Sequence, residues 1–207
     1  MEEIEITKPD DWHVHFRDRE ILKVVVPETT RNFARAIVMP NLLPPIINGK
    51  QAIQYKKRIK EVIPKTDNFE PFMTLYLTEK TNKNDLEEAY NNRAVFAAKL
   101  YPAGATTNSD SGVKDIKNIM PTLETMAKIG MPLLIHGEVT HNEVDIFDRE
   151  KVFINQNLDF ICKELPELKI TLEHITTEDA TQYVKHGNQN LVASITPHHL
   201  ALNRNAI

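Results

Sequence analysis

The sequence predicts an α/β fold in which a parallel sheet closes as a (β/α)8 TIM barrel, incomplete by one strand. Three observations predict it. Short runs rich in Val, Ile, Leu and Phe alternate with longer polar stretches of helical spacing, the order that βα units impose. The runs are almost continuously apolar, as strands covered on both faces are. Polar side chains recur where the runs end, at His15 and Arg17, Asn41, Lys99 and Tyr101, His136 and His174. A barrel's upper rim collects functional groups in that way.

The strand candidates are 12–16, 36–39, 72–77, 95–100, 133–136, 170–174 and 191–195. Helices are expected over 50–62, 85–90, 116–129, 147–165 and 178–185. In the first of these Ala52, Ile53, Ile59 and Val62 can share one stripe. Gly130 and Gly187 stand where two helices should stop. A doubly wound sheet meets the same alternation but gathers its polar groups at one switch point. No glycine-rich phosphate loop follows any of the runs, which disfavours a nucleotide-binding sheet. Seven strands are present against the eight of a closed barrel, with the eighth missing.

A length of 207 residues suits one large domain or two small ones, and the expectation is a single barrel domain over 1–207, truncated at its C-terminal side. A net charge of −4 without a basic block gives no sign of nucleic acid as a partner. Cys162 is the sole cysteine, so an internal disulfide is excluded and a reducing compartment fits. The acidic start, Met-Glu-Glu-Ile-Glu-Ile, has no long apolar stretch. The expectation is therefore no secretory signal, no membrane span and a cytoplasmic location.

The chemistry begins in residues 11–18, Asp-Trp-His-Val-His-Phe-Arg-Asp. In a strand His13 and His15 point the same way, and two neutral imidazoles on one face are half of a divalent metal site. Arg17 is in register with them and offers a planar fork to a carboxylate. Lys99 lies within an apolar run. It is either a snorkelling lysine at a strand end or a buried one whose neutral amine takes up carbon dioxide. The resulting carbamate is an anionic oxygen ligand able to bridge two metal ions. His136 and His174 each end a strand. Singly each reads as a core histidine, but beside His13 and His15 they complete a set suited to two zinc-like ions. Asn41 is a turn residue or, with Arg17, a grip for a substrate carboxylate. Residues 102–112, small and polar, form a flexible loop or a lid that presents Thr106 and Thr107 to the substrate. His141, His186, His198 and His199 are weaker ligand candidates. Cys162 reads as a structural thiol.

Several stretches then fall into one pattern: Asp-Trp-His-Val-His-Phe-Arg-Asp, Ala-Ile-Val-Met-Pro-Asn-Leu, Ala-Ala-Lys-Leu-Tyr-Pro-Ala, Gly-Met-Pro-Leu-Leu-Ile-His-Gly-Glu-Val-Thr, Ile-Phe-Asp-Arg-Glu and Leu-Glu-His-Ile-Thr-Thr. From residue 8 onward they resemble the short, single-function bacterial dihydroorotases of the amidohydrolase superfamily. The resemblance implies the barrel of the metal-dependent hydrolases and two Zn2+ ions. His13 and His15 would hold one ion, His136 and His174 the other, with N6-carboxylated Lys99 bridging. Lys99 and His136 would take part in catalysis, and His15, Arg17, Asn41 and His136 in binding the substrate. The implied reaction is the reversible cyclisation of N-carbamoyl-L-aspartate to L-dihydroorotate in pyrimidine (UMP) synthesis. In the hydrolytic direction hydroxide attacks the ring amide carbonyl, which the metals polarise. A homodimer is also implied.

The resemblance further implies a metal-binding aspartate on an eighth strand, with a substrate-binding histidine nearby, and both would fall after Ile207. Two other readings therefore stay open. One is another cyclic amidase, of hydantoinase or allantoinase type, against which Arg17 and Asn41 argue. The other is an inactive fragment or a binding subunit.

Overall fold

The computed structural model describes residues 3–206. Seven strands, β1 (Asp10–Val14), β2 (Arg35–Val38), β3 (Glu70–Tyr76), β4 (Ala97–Leu100), β5 (Leu133–His136), β6 (Ile170–Glu173) and β7 (Leu191–Ala193), form one sheet in chain order. Every neighbouring pair is parallel. The sheet curls so far that His13 on β1 meets Glu173 on β6 at 3.0 Å. This is an incomplete barrel. Between the outer edges of β1 and β7 runs an apolar cleft of about 950 Å³, lined by Trp12, Ile37, Leu134, Val192 and Ile195 among others.

Strand alternation sorts the side chains into two cores. Ala36, Val38, Met73, Leu75, Ala98, Leu100, Leu133, Ile135, Ile170 and Leu172 face outward, into the main core beneath the helices. Ile37, Met39, Ala97 and Leu134, with Phe72, face inward and form a small separate cluster. Toward the C-terminal ends of the strands the interior turns polar, with buried Thr74, Lys99, His136 and Glu173. Burial on both faces explains why the strands read as near-continuous apolar runs.

The covering helices are α1 (Arg19–Asn32), α2 (Gly49–Val62), α3 (Lys83–Asn91), α4 (Met120–Ile129), α5 (Arg149–Phe153), α6 (Asp159–Glu164) and α7 (Glu178–Lys185); a short α8 (Pro197–Ala201), which buries no residue, follows β7. Gly130 closes α4 in the left-handed region at φ 71°, and Gly187 follows the C-cap of α7. Helix α1 corrects the sequence reading, which assigns nothing there. Its Val24-Val25-Val26 run and Pro27 argue locally against a helix. It forms because Asp18 caps its first turn and Leu22, Val26 and Thr30, four apart, are buried against the sheet. Tertiary packing outweighs propensity here. The helix expected over 147–165 runs from Arg149 to Glu164, with a π-helical stretch at Ile154–Leu158. The 116–129 helix opens as a 3-10 turn over Ile116–Ile119. β1 starts earlier than expected, and β7 ends earlier.

Leu100 has no exposed surface in the main core. Leu100→Ala should destabilise the fold by about 2–5 kcal/mol, read as a lowered urea midpoint with unchanged slope; an unmoved midpoint would show that β4 is not packed as described.

Candidate active site

β1 places His13 within the strand and His15 just beyond it, and their rings share one side as the spacing requires. Their Nε2 atoms lie 3.0 Å apart. Two nitrogen lone pairs at that distance repel, so a proton on one or a cation held by both must sit between them. Asn41 settles which nitrogen of His15 is free. Asn41 Nδ2 donates to the carbonyl of Thr107 at 2.9 Å, so Oδ1 faces the ring and accepts from His15 Nδ1 at 2.8 Å. The lone pair of neutral His15 is then on Nε2, toward His13.

β6 delivers two consecutive residues to the same site. Glu173 faces inward by strand alternation, and His174 would face outward if the strand continued. The backbone instead turns left-handed at His174, φ 45°, and its N–H donates to Ser194 Oγ at 3.0 Å. The His174 ring centroid then lies 5.2 Å from that of His13 and 4.8 Å from that of His136. Ligand atoms of His13, Glu173 and His174 lie within 4.8 Å of one another, close enough to share a metal ion. His136, ending β5, donates through Nε2 to Glu138 at 2.8 Å.

Lys99 is fully buried on β4, and its ammonium is ion-paired with Glu173 Oε2. Burial pushes the amine below its ordinary range, against the pull of Glu173. Burial also opposes ionisation of Glu173, but Lys99 and His13 together hold its carboxyl down at about 2. Burial lowers His15 to about 3, helped by the charges of His13 and Arg17. It lowers His174 to about 2, helped by Lys99 and His136. Both imidazoles are thus neutral at ordinary pH, the state in which imidazole binds metal. Neutral rings, an anionic oxygen donor and the close nitrogen pair make a set that fits divalent metal.

Arg17 stands on the rim with Nη1 buried and without a hydrogen-bond partner. Its charge bears on both His15 and Tyr101. Tyr101 is buried over Lys99, 5.0 Å from ring centroid to Nζ, and its Oη also has no hydrogen-bond partner. The amide of Asn41, expected to grip a carboxylate, is engaged with His15 and with the 102–112 loop. That loop is compact: Ser109 Oγ donates to Thr106 O at 2.6 Å, and Asn108 Nδ2 donates to Asn41 O at 3.0 Å. Thr106 and Thr107 are exposed.

His199, on α8, comes within 6.5 Å of His174 between ring centroids. Exposed His186 bonds the Gln182 carbonyl near the end of α7, and His141 is exposed. Cys162 is half-buried. The sequence reading missed Glu173 and Glu138. An acid inside the apolar run Ile-Thr-Leu-Glu was the available signal for Glu173; Glu138, just outside β5, gave none.

Comparison with known proteins accords with this geometry. The sequence pattern of the Amidohydrolase family matches residues 10–207. The chain is 56% identical over its full 207 residues to a curated dihydroorotase of Rhizobium rhizogenes, and spans 60% of that relative's length. A crystal structure of dihydroorotase from Campylobacter jejuni superposes with a TM-score of 0.88 at 40% identity, over 96% of this chain and 57% of that one. Dihydroorotase from Saccharomyces cerevisiae, solved in complex with 5-fluoroorotic acid, gives 0.86 at 31% identity, over 96% and 58%. Among the described residues no helix is long and apolar enough to cross a membrane.

Glu150, in the first turn of α5, fixes the turn after His174. Its buried carboxylate accepts from the backbone N–H of Thr176 at 3.1 Å and of Thr177 at 2.9 Å, and from the Thr177 hydroxyl at 2.6 Å. Burial raises its pKa above 4.5 in spite of those bonds. With the folded value above the unfolded one, its contribution is complete below 4.5 and is lost as pH rises through the folded value. Glu150→Gln keeps an acceptor oxygen and removes the titration. Urea midpoints measured from about pH 4 to 7 should therefore fall more steeply with pH in the unaltered protein than in the variant; parallel curves would refute the assignment.

Proposed function

Because the chain belongs to the amidohydrolase family, we propose that it works as a dihydroorotase, reversibly cyclising N-carbamoyl-L-aspartate to L-dihydroorotate in pyrimidine synthesis. The observation that carries this reading is the unpaired, buried Nη1 of Arg17 beside a cluster of four imidazoles. The site thus offers a cyclic amide a metal-binding set and a carboxylate receptor together. The names of the similar proteins support the same substrate class.

His13, His15, His136 and His174 would hold two zinc ions, with Lys99 between them as a carbamate. In forming it the Lys99 amine loses its ammonium proton, adds to carbon dioxide and releases one more proton, and burial, which lowers the amine's pKa, favours the addition. The ions would polarise the ring carbonyl and supply hydroxide near neutral pH. The rest of the work belongs to the protein. Arg17 takes the substrate carboxylate in a bidentate pair and sets the ring's register. Asn41 holds His15 by its Nδ1–H and ties it to the loop carrying Thr106 and Thr107, which closes over the bound ring and excludes water. Glu138 orients the His136 ring, and Ser194 holds the His174 backbone through its N–H. A free thiol at Cys162 suits work in the cytoplasm.

Steady-state turnover of dihydroorotate, compared with that of hydantoin, tests the proposal. Preference for hydantoin would transfer the site to another cyclic amidase. Arg17→Ala should weaken dihydroorotate binding by about 2–5 kcal/mol and leave bound metal unchanged, with Arg17→Lys recovering part. Loss of metal in Arg17→Ala would refute its role. Lys99→Ala should lose both bound metal and turnover, measured by elemental analysis and rate together; full metal content in that variant would exclude a bridging Lys99.

A further inference from the structure

Arg17 lies in the turn between β1 and α1, left-handed at φ 58°, and the chain is left-handed again at Arg19, φ 56°, where α1 begins. Side chains other than glycine rarely adopt that conformation, so such a turn has to be held by its surroundings. Helix α2 holds it at two points. Tyr55, with no exposed surface, donates its hydroxyl to the Arg17 carbonyl at 2.5 Å. Burial pushes the phenol's pKa upward, so it remains a neutral donor. Three residues on, on the same helix face, Arg58 donates through Nε and Nη2 to the two Asp18 oxygens at 3.0 and 2.8 Å. The Arg58 guanidinium lies 5.2 Å from the Tyr55 ring centroid, so the two are braced against each other. Asp18 also accepts from Arg19 N at 2.9 Å, which ties the turn to the start of α1.

We propose that Tyr55 and Arg58 form a clamp that sets the aim of Arg17 and thereby the affinity for the substrate's carboxylate. Both are positioning residues. Neither belongs to the imidazole cluster, and each acts through the backbone that carries Arg17. The buried Nη1 without a partner marks a fork already ordered for a planar anion. A receptor fixed before binding avoids the cost of ordering a long side chain on binding, worth about three- to tenfold in affinity. The proposal rests on the dihydroorotase reading of this site.

Tyr55→Phe keeps the ring and removes the donor. In the metal-loaded protein it should raise KM for dihydroorotate about three- to tenfold, with kcat and metal content unchanged. Arg58→Gln should act in the same direction and carries the kinetic test if Tyr55→Phe does not fold. A crystal structure of the folded variant should show Arg17 displaced from the left-handed region. An unchanged KM, or a fall in kcat or metal content without a rise in KM, would overturn the clamp. Failure of the unaltered protein to turn over dihydroorotate would instead refute the functional reading. The clamp would then be decided by the variant's structure, where Arg17 still at φ near 58° overturns it.

Discussion

Lys99 carries its ammonium inside the curled sheet with no exposed surface, and the fold supplies one anion for it, Glu173. Taking both charges out of water offsets most of their attraction, and replacing such a pair with apolar side chains is often neutral or stabilising. Removing one partner alone costs about 3–5 kcal/mol. The pair is therefore poorly explained as a source of stability. It also couples distant parts of the sheet. Glu173 on β6 meets Lys99 on β4 with one oxygen and His13 on β1 with the other. Without the curl these three strands could not share a carboxylate.

Around that pair, His15, His136, His174 and the turn at Arg17 are each held by a group outside the imidazole cluster. Asn41 fixes His15, Glu138 fixes His136, Ser194 and Glu150 fix the two sides of His174, and Tyr55 fixes the turn at Arg17. These supports come from loops and helices outside the strands that carry the imidazoles. The strands set position along the barrel, and the outer elements set tautomer, ring orientation and aim. A metal site needs both, because imidazole binds through one nitrogen whose lone pair is decided by the bond at the other.

The sheet was legible in the sequence because strands buried on both faces leave continuous apolar runs, and their order alone gave seven parallel neighbours. The same logic placed His13, His15, Lys99, His136 and His174, since a polar residue at the end of such a run projects from the rim. What the sequence concealed was set by tertiary context. Helix α1 carries Pro27 and a valine run, and its stability comes from packing at Leu22, Val26 and Thr30. Glu173 was hidden by its neighbour, since consecutive strand residues normally oppose one another and only the backbone turn at His174 brings both inward. Asn41 was identified by residue type, but its amide is committed to His15 and Thr107, partners distant in sequence.

Backbone strain falls where the site is. Of the five non-glycine residues in the left-handed region among the described residues, Arg17, Arg19, Asn108 and His174 lie at the C-terminal rim, and Arg93 lies outside it. Each such residue costs on the order of 1–3 kcal/mol, which local hydrogen bonding must offset. Tyr55 offsets it at Arg17, Ser194 at His174, and the bond from Asn108 Nδ2 to Asn41 O at the loop. A regular strand end would avoid the strain but would point alternate residues away from the interior. Collecting His174 beside Glu173, its immediate neighbour in the chain, requires departing from strand geometry at that position. At the end of β6 the strain arises because two consecutive residues face inward, which alternation does not provide.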